Sequence, residues 1–192
     1  MTVIGTVGLP GSGKGEAAAV ARDAGIPVVT MGDVIREECR DRGLDPATHH
    51  GEIAQALREE NGPDAIAARS LPIIREYLAT DDVDTVLVDG LRSGVEADRF
   101  EDAFGDDWLL VSIDAPFEVR KDRITDRGRD ETDGDVGETL RERDERERGF
   151  GMDDAMARAD VRIENTASLE AFRERIQALL EDGPDAVTEE SI

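Results

Sequence analysis

"TVIGTVGLPGSGKGEA", residues 2–17, sets three signals in a fixed order. Residues 2–8 are a short, β-branched apolar run bounded by glycine, the pattern of a buried strand. Gly8, Leu9, Pro10, Gly11, Ser12, Gly13 and Lys14 then complete G-x-x-x-x-G-K, a loop whose backbone N–H groups can cradle phosphate. Residues 13–24 read as a helix closed by Gly25, so the loop would deliver an anion to a helix N-terminus. A strand running through such a loop into a helix is the context that gives the motif meaning; a tight turn with an incidental lysine is the plain alternative. The pattern breaks after Lys14. The usual Ser or Thr, whose hydroxyl ligates Mg²⁺, is replaced by Gly15, and Glu16 follows.

Outward from the loop, strand and helix signals alternate. "IPVVT" (26–30) is a short strand and "MGDVIREECRDRG" (31–43) a helix stopped by Gly43. Residues 46–79 read as helical with a break at "NGPD" (61–64). "DTVLVDG" (84–90) is a third buried strand, followed by a helix over 95–104, the strand "WLLVSID" (108–114) and a helix over 116–127. A loop rich in Gly and Asp (128–137) leads into the charged "ETLRERDERER". The strand "ADVRIEN" (159–165) and the amphipathic helix "SLEAFRERIQALLED" (168–182), capped by Ser168, close the pattern. This spacing predicts right-handed βαβ units and a five-stranded parallel sheet covered on both faces, a single three-layer α/β domain over 1–182. Residues 183–192 read as a frayed acidic tail.

Composition bounds the function classes. With 46 acidic against 23 basic residues the chain carries −23, which disfavours nucleic acid and anionic membranes as partners. The acids are spread along the chain, as in adaptation to a salt-rich cytoplasm. Lysine occurs only at Lys14 and Lys121, so its retention inside the Gly-rich loop stands out. A lone cysteine, Cys39, fits a reducing compartment and a packing role, and no run approaches the roughly 20 apolar residues of a membrane span. A cytoplasmic location is expected.

G-x-P-G-x-G-K-G, with glycine after the lysine, is the adenylate kinase form of the loop, and "GLPGSGKG" resembles it at every fixed position. "TMGDVIR" is similar to the T-G-D-x-x-R run of that family, supplying Gly32, Asp33 and Arg36, with Met31 at the threonine position. "DGLRS" resembles D-G-F-P-R, one residue shorter, with Asp89 and Arg92; "DRITDR" supplies an arginine pair, Arg123 and Arg127. The chain is most similar to the archaeal adenylate-kinase-related P-loop proteins. Its "ADVRIENTASLEAF" resembles instead the end of dephospho-CoA kinases.

The resemblance implies a P-loop kinase fold with a short helical lid and an enzyme of the nucleoside monophosphate kinase type, using ATP and Mg²⁺. Lys14 and the loop, Gly15 included, would hold ATP; Asp33, Arg36 and Arg92 would hold a small acceptor; Asp89 would steady Mg²⁺ through water, which suits a cation that keeps most of its hydration shell. Dephospho-CoA kinase, or an ATP-driven switch with no small acceptor, are the alternative readings.

Arg123 and Arg127 stand four apart, on one helix face, where they would neutralise transferring charge; the plain reading has them offset Asp122 and Asp126. Glu16 would touch a metal-bound water or simply favour the first helical turn. In "RERDERER" the pairs Glu142–Arg146 and Asp144–Arg148 suit a solvated helix, yet a helix polar all round has no face to bury. A lid over 128–157 is therefore expected, with Arg143 or Arg146 reaching substrate. His49 and His50 are placed in a loop of the acceptor region, acceptor helices spanning about 31–79. Asn165, just past the fifth strand, either borders the adenine or caps the strand.

Overall fold

Parallel strands must be joined by crossovers, and here each crossover contains helix. The computed structural model describes residues 1–126 and 139–188. The strands are β1 (Thr2–Val7), β2 (Val28–Thr30), β3 (Thr85–Asp89), β4 (Trp108–Asp114) and β5 (Val161–Glu164), in the order β2-β3-β1-β4-β5. Every pairing is parallel. The helices are α1 (Lys14–Asp23), α2 (Met31–Asp41), α3 (Pro46–Asn61), α4 (Ala65–Leu78), α5 (Gly94–Phe104), α6 (Phe117–Asp126), α7 (Leu140–Gly149), α8 (Met152–Ala157), α9 (Leu169–Asp182) and α10 (Asp185–Thr188).

Side chains alternate across the sheet, and both faces are covered, which explains why the strands read as continuous apolar runs. On one face Ile4, Val111, Ile113, Val161 and Ile163 pack with Ala17 of α1 and with Phe172, Ile176 and Leu179 of α9. On the other, Val3, Val7, Val86, Val88 and Leu110 lie beneath α2, α3, α4, α5 and α8. Trp108 lies over Gly5, where a Cβ would stand 2.2 Å from its ring. Phe100 stacks on Trp108 with ring centroids 5.1 Å apart. This is the α/β layering expected from the alternation, and β1 sits at its centre, with β3 on one side and β4 on the other.

Four local readings change. His49 and His50 lie in α3, not in a loop, because Asp45 accepts from the Ala47 N–H and Pro46 begins the first turn. The polar α7 does bury a face: Asp144 is 3% and Glu147 7% exposed. Of the span expected to form a lid, 128–138 lies outside the described residues, whereas Met152, Ala155 and Met156 of α8 belong to the main core. In the expected tail, α10 turns Val187 into the cluster under α9. No helix among the described residues is long and apolar enough to cross a membrane.

Candidate phosphate-binding site

In open parallel sheets, ligands bind beyond the C-terminal strand ends where the strand order reverses. Here the ends of β1 and β3 meet at that point: Thr6 is in register with Asp89, and its Oγ1 lies 3.3 Å from Asp89 Oδ1. The loop of residues 8–13 leaves β1 at the same place and enters α1, whose N-cap is Gly13, with no side-chain cap. The Glu16 N–H already donates to Gly13 O (3.0 Å), so the amides that an anion could take here are those of Lys14 and Gly15.

Gly11 and Gly13 have φ of 80° and 121°, conformations that L side chains avoid. A Cβ on Gly13 would stand 2.4 Å from Asn165 Nδ2, and one on Gly11 3.0 Å from the Arg120 carbonyl oxygen. Gly15 differs, since nothing lies within 4 Å of a Cβ built there. Ser12 is 1% exposed and its Oγ has no hydrogen-bond partner among the described residues; it lies beside Gly8, where a Cβ would stand 2.6 Å from it. Lys14 Nζ folds back onto the carbonyl oxygens of Gly8 and Leu9, the latter at 3.5 Å. Burial holds its ammonium below the ordinary 10.5, while the charges of Asp89 and Glu147 pull it back up.

Arg123 and Asn165 come together behind the loop. Arg123 Nη2 donates to the Asn165 backbone oxygen (2.9 Å) and to its Oδ1 (3.0 Å), and Asn165 Nδ2 donates to Ser12 O (2.8 Å). Both therefore brace the cradle. Arg127 lies outside the described residues. Glu16 turns away to Arg173 of α9, Nε to Oε1 2.5 Å.

On the acceptor side, Asp33 and Arg36 pair with each other (Nη2–Oδ1 2.8 Å), leaving Arg36 39% exposed. A Cβ on Gly32 would lie 3.4 Å from Arg36 Nη1 and 3.6 Å from His50 Nε2, which puts the histidine beside that arginine. Gly90 adjoins Met31 and Gly32, linking the Asp89 end of β3 to the start of α2. Arg92 pairs with Glu147 of α7, Nη1–Oε1 2.5 Å.

Several buried charged residues around the loop and the strand ends escape a reading by motif. Arg120, 2% exposed, forks onto Asp144 (2.8 and 2.7 Å) and donates to Pro10 O of the loop (3.0 Å). Its signal was its place on the inward stripe of α6, between Phe117 and Ile124, three and four residues away. Glu96, fully buried, accepts from the Arg92 backbone N–H (2.8 Å) and from Arg58 Nη2 (3.0 Å). Ser93–Glu96 has the spacing of a capping box, which marked the helix start but not this use of the carboxylate. Asp144 and Glu147 had no local signal. Arg143 shares their inward face, and its Nε is buried without a partner among the described residues.

A glycine-rich lysine loop between strand and helix at the switch point of a parallel sheet, with Arg36 and Arg92 near the same strand ends, defines a P-loop kinase-like α/β protein. Residues 7–141 match the family described as AAA domain. The chain belongs to the UPF0200 family: such a protein from Halobacterium salinarum is 66% identical over 181 residues, spanning 94% of this chain and 93% of that one. Another, from Methanothrix thermoacetophila, is 48% identical over 185 residues, spanning 95% and 98%. Among solved structures, a Thermus thermophilus protein (23% identity, TM-score 0.62, covering 94% of this chain and 97% of that chain) shares the fold. So does a gluconokinase from Sinorhizobium meliloti (16%, 0.58, covering 100% and 98%).

Proposed function

We propose that the chain is an ATP-dependent phosphotransferase of the nucleoside monophosphate kinase type, moving the γ-phosphoryl group to a small acceptor. The observation that carries this reading is the glycine-rich loop that runs from β1 into an uncapped α1, with the buried Lys14 ammonium and the Asp89 carboxylate brought together at the sheet switch point. Its P-loop is similar to the adenylate kinase form, which supports the donor assignment. The loop would take the β- and γ-phosphates of ATP, and Asp89 is the carboxylate suited to hold water around Mg²⁺, which when bound would neutralise phosphate charge. Among the described residues no cluster of three His, Cys, Asp or Glu stands as a protein-only metal site, so most ligands would come from phosphate and water.

Phosphoryl transfer asks mainly for positioning and charge neutralisation. Lys14 would bind the outer phosphates, giving up its contacts with Gly8 and Leu9. Arg92 and Arg36, with Asp33 and His50 beside them, would orient the acceptor. Arg123 and Asn165 would hold the loop in shape, and Arg127 is assigned to the transferring phosphoryl by resemblance. The surface charge of −23 supports a small-molecule acceptor over nucleic acid or an anionic membrane.

The test is a transfer screen with labelled ATP over nucleoside monophosphates and dephospho-CoA in molar KCl. A labelled product is expected with one nucleotide-like acceptor. Transfer to dephospho-CoA alone would move the assignment to that kinase class, and ATP hydrolysis indifferent to every acceptor would replace the kinase with a switch.

A further inference from the structure

Helix α7 has no apolar stripe, and its inward face carries Arg143 and two buried carboxylates three residues apart, Asp144 and Glu147. Asp144 is accounted for by its fork with Arg120, which ties α7 to the loop carbonyl of Pro10. Glu147 is different. Its partner, Arg92, follows the β3 aspartate at the mouth of the site, and its charge also reaches Lys14. A buried carboxylate here is a like charge to any phosphate that the lysine loop attracts, and it takes up the arginine suited to that phosphate.

We propose that Glu147 is a resident anion of the phosphate site, pairing with Arg92 in the ligand-free protein and exchanged for a phosphoryl group when a phosphate-bearing ligand binds. This rests on reading the Lys14 loop as the nucleotide-phosphate site, and adds a gate to it. The exchange replaces one anion by another, so Arg92, whose side chain is 36% exposed, keeps an anionic partner throughout. A ligand whose phosphate reaches Arg92 evicts Glu147, whereas one that stops short leaves the Arg92–Glu147 pair in place, α7 staying tied to the loop through Asp144 and Arg120 in both cases. The device makes opening of that pair depend on phosphate reach, and so selects ligands by where their phosphate lies.

Isothermal titration with inorganic pyrophosphate and with ATP, at fixed ionic strength, tests this on the wild type, Glu147→Gln and Lys14→Ala. Glutamine keeps the shape and a hydrogen bond to Arg92 but removes the competing charge. Glu147→Gln is expected to bind pyrophosphate about tenfold tighter or more, the scale set by removing one like charge from a partly screened site. A purely structural role predicts equal or weaker binding, and either result overturns the proposal. If Glu147→Gln fails to fold, Glu147→Asp, one methylene shorter, is titrated in its place: tighter binding supports the gate, and equal or weaker binding overturns it. ATP binding that is absent, or undiminished in Lys14→Ala, removes the underlying site and the gate with it. ATP binding that needs Lys14, alongside unchanged affinity in Glu147→Gln, removes the gate alone.

Discussion

Lys14 is half-buried, draws on two carbonyl oxygens of its own loop, and faces Asp89 and Glu147. Neither the glycines nor the α1 amides can replace its mobile point charge at the outer phosphates. Lys14→Ala should therefore stay folded and lose transfer by about a hundredfold or more, the scale of removing one preorganised charge-stabilising group. A variant keeping more than about a tenth of wild-type kcat would remove Lys14 from the mechanism, as measured at saturating ATP. The missing hydroxyl after Lys14 is a second residue-level question. Open space around a Gly15 Cβ means that Gly15→Ser should fold normally, so its Mg²⁺ titration reports on the metal and not on damage. Asp89→Asn is expected to raise the Mg²⁺ needed for half-maximal activity, while Glu16→Gln, whose carboxylate is held by Arg173, should leave it unchanged. The reverse pattern would make Glu16 the metal's partner.

Among the elements, α7 is attached to the body through buried ions. Arg120 and Asp144 are 3% and 5% exposed in their side chains, so removing one partner strands the other. Asp144→Ala should cost about 3–5 kcal/mol, lowering Tm by roughly 10 °C in a chain this size, whereas the double replacement Arg120→Met/Asp144→Leu should recover most of the loss. Calorimetry of the single and double variants checks it; equal damage in both would mean that the pair's specific geometry, not the stranded charge, sets the cost. The α2–α4 layer carries an acid-sensitive counterpart. Glu38 accepts from Arg42 Nε (2.7 Å) and from Arg69 Nη1, and those bonds hold its carboxyl below the ordinary 4.5 despite partial burial. A carboxylate with a depressed folded pKa contributes stability that is present above its unfolded value and is lost as pH falls through the folded one. Glu38→Gln should therefore flatten the loss of stability below about pH 4.5. Denaturation midpoints at pH 7 and in the acid range, compared between wild type and variant, measure this, and parallel curves would contradict it.

For the molecule as a whole, the balance of 46 acids to 23 bases leaves −23 on a chain of 192 residues. Local pairs such as Arg42–Glu60 and Arg158–Asp98 offset part of this, but the surplus repels itself at low salt. The screening length falls from about 10 Å at 0.1 M to about 3 Å at 1 M salt. Tm should therefore climb between 0.1 and 2 M KCl. An unchanged Tm over that range would contradict salt adaptation as the reason for the charge.

The sequence by itself determined whatever depends on neighbours along the chain. Apolar runs of β-branched residues between helical stretches specified the parallel strands, and Gly11 and Gly13 specified a loop that larger side chains at those two positions would distort. Breaks at 61–64 and the Ser168 cap likewise follow from local hydrogen bonding and appear where expected, between α3 and α4 and at the start of α9. The tertiary structure alone decided what the charged residues do. Thirty-six per cent of the chain is Asp, Glu, Lys or Arg, so no periodicity marks which few of them are buried. Arg120 meets Asp144 across 24 positions, Arg92 meets Glu147 across 55, and Arg123 reaches Asn165 across 42. A charge becomes strongly coupled only when folding removes water from around it and brings a distant partner to hydrogen-bond range, and neither event is written in the local sequence.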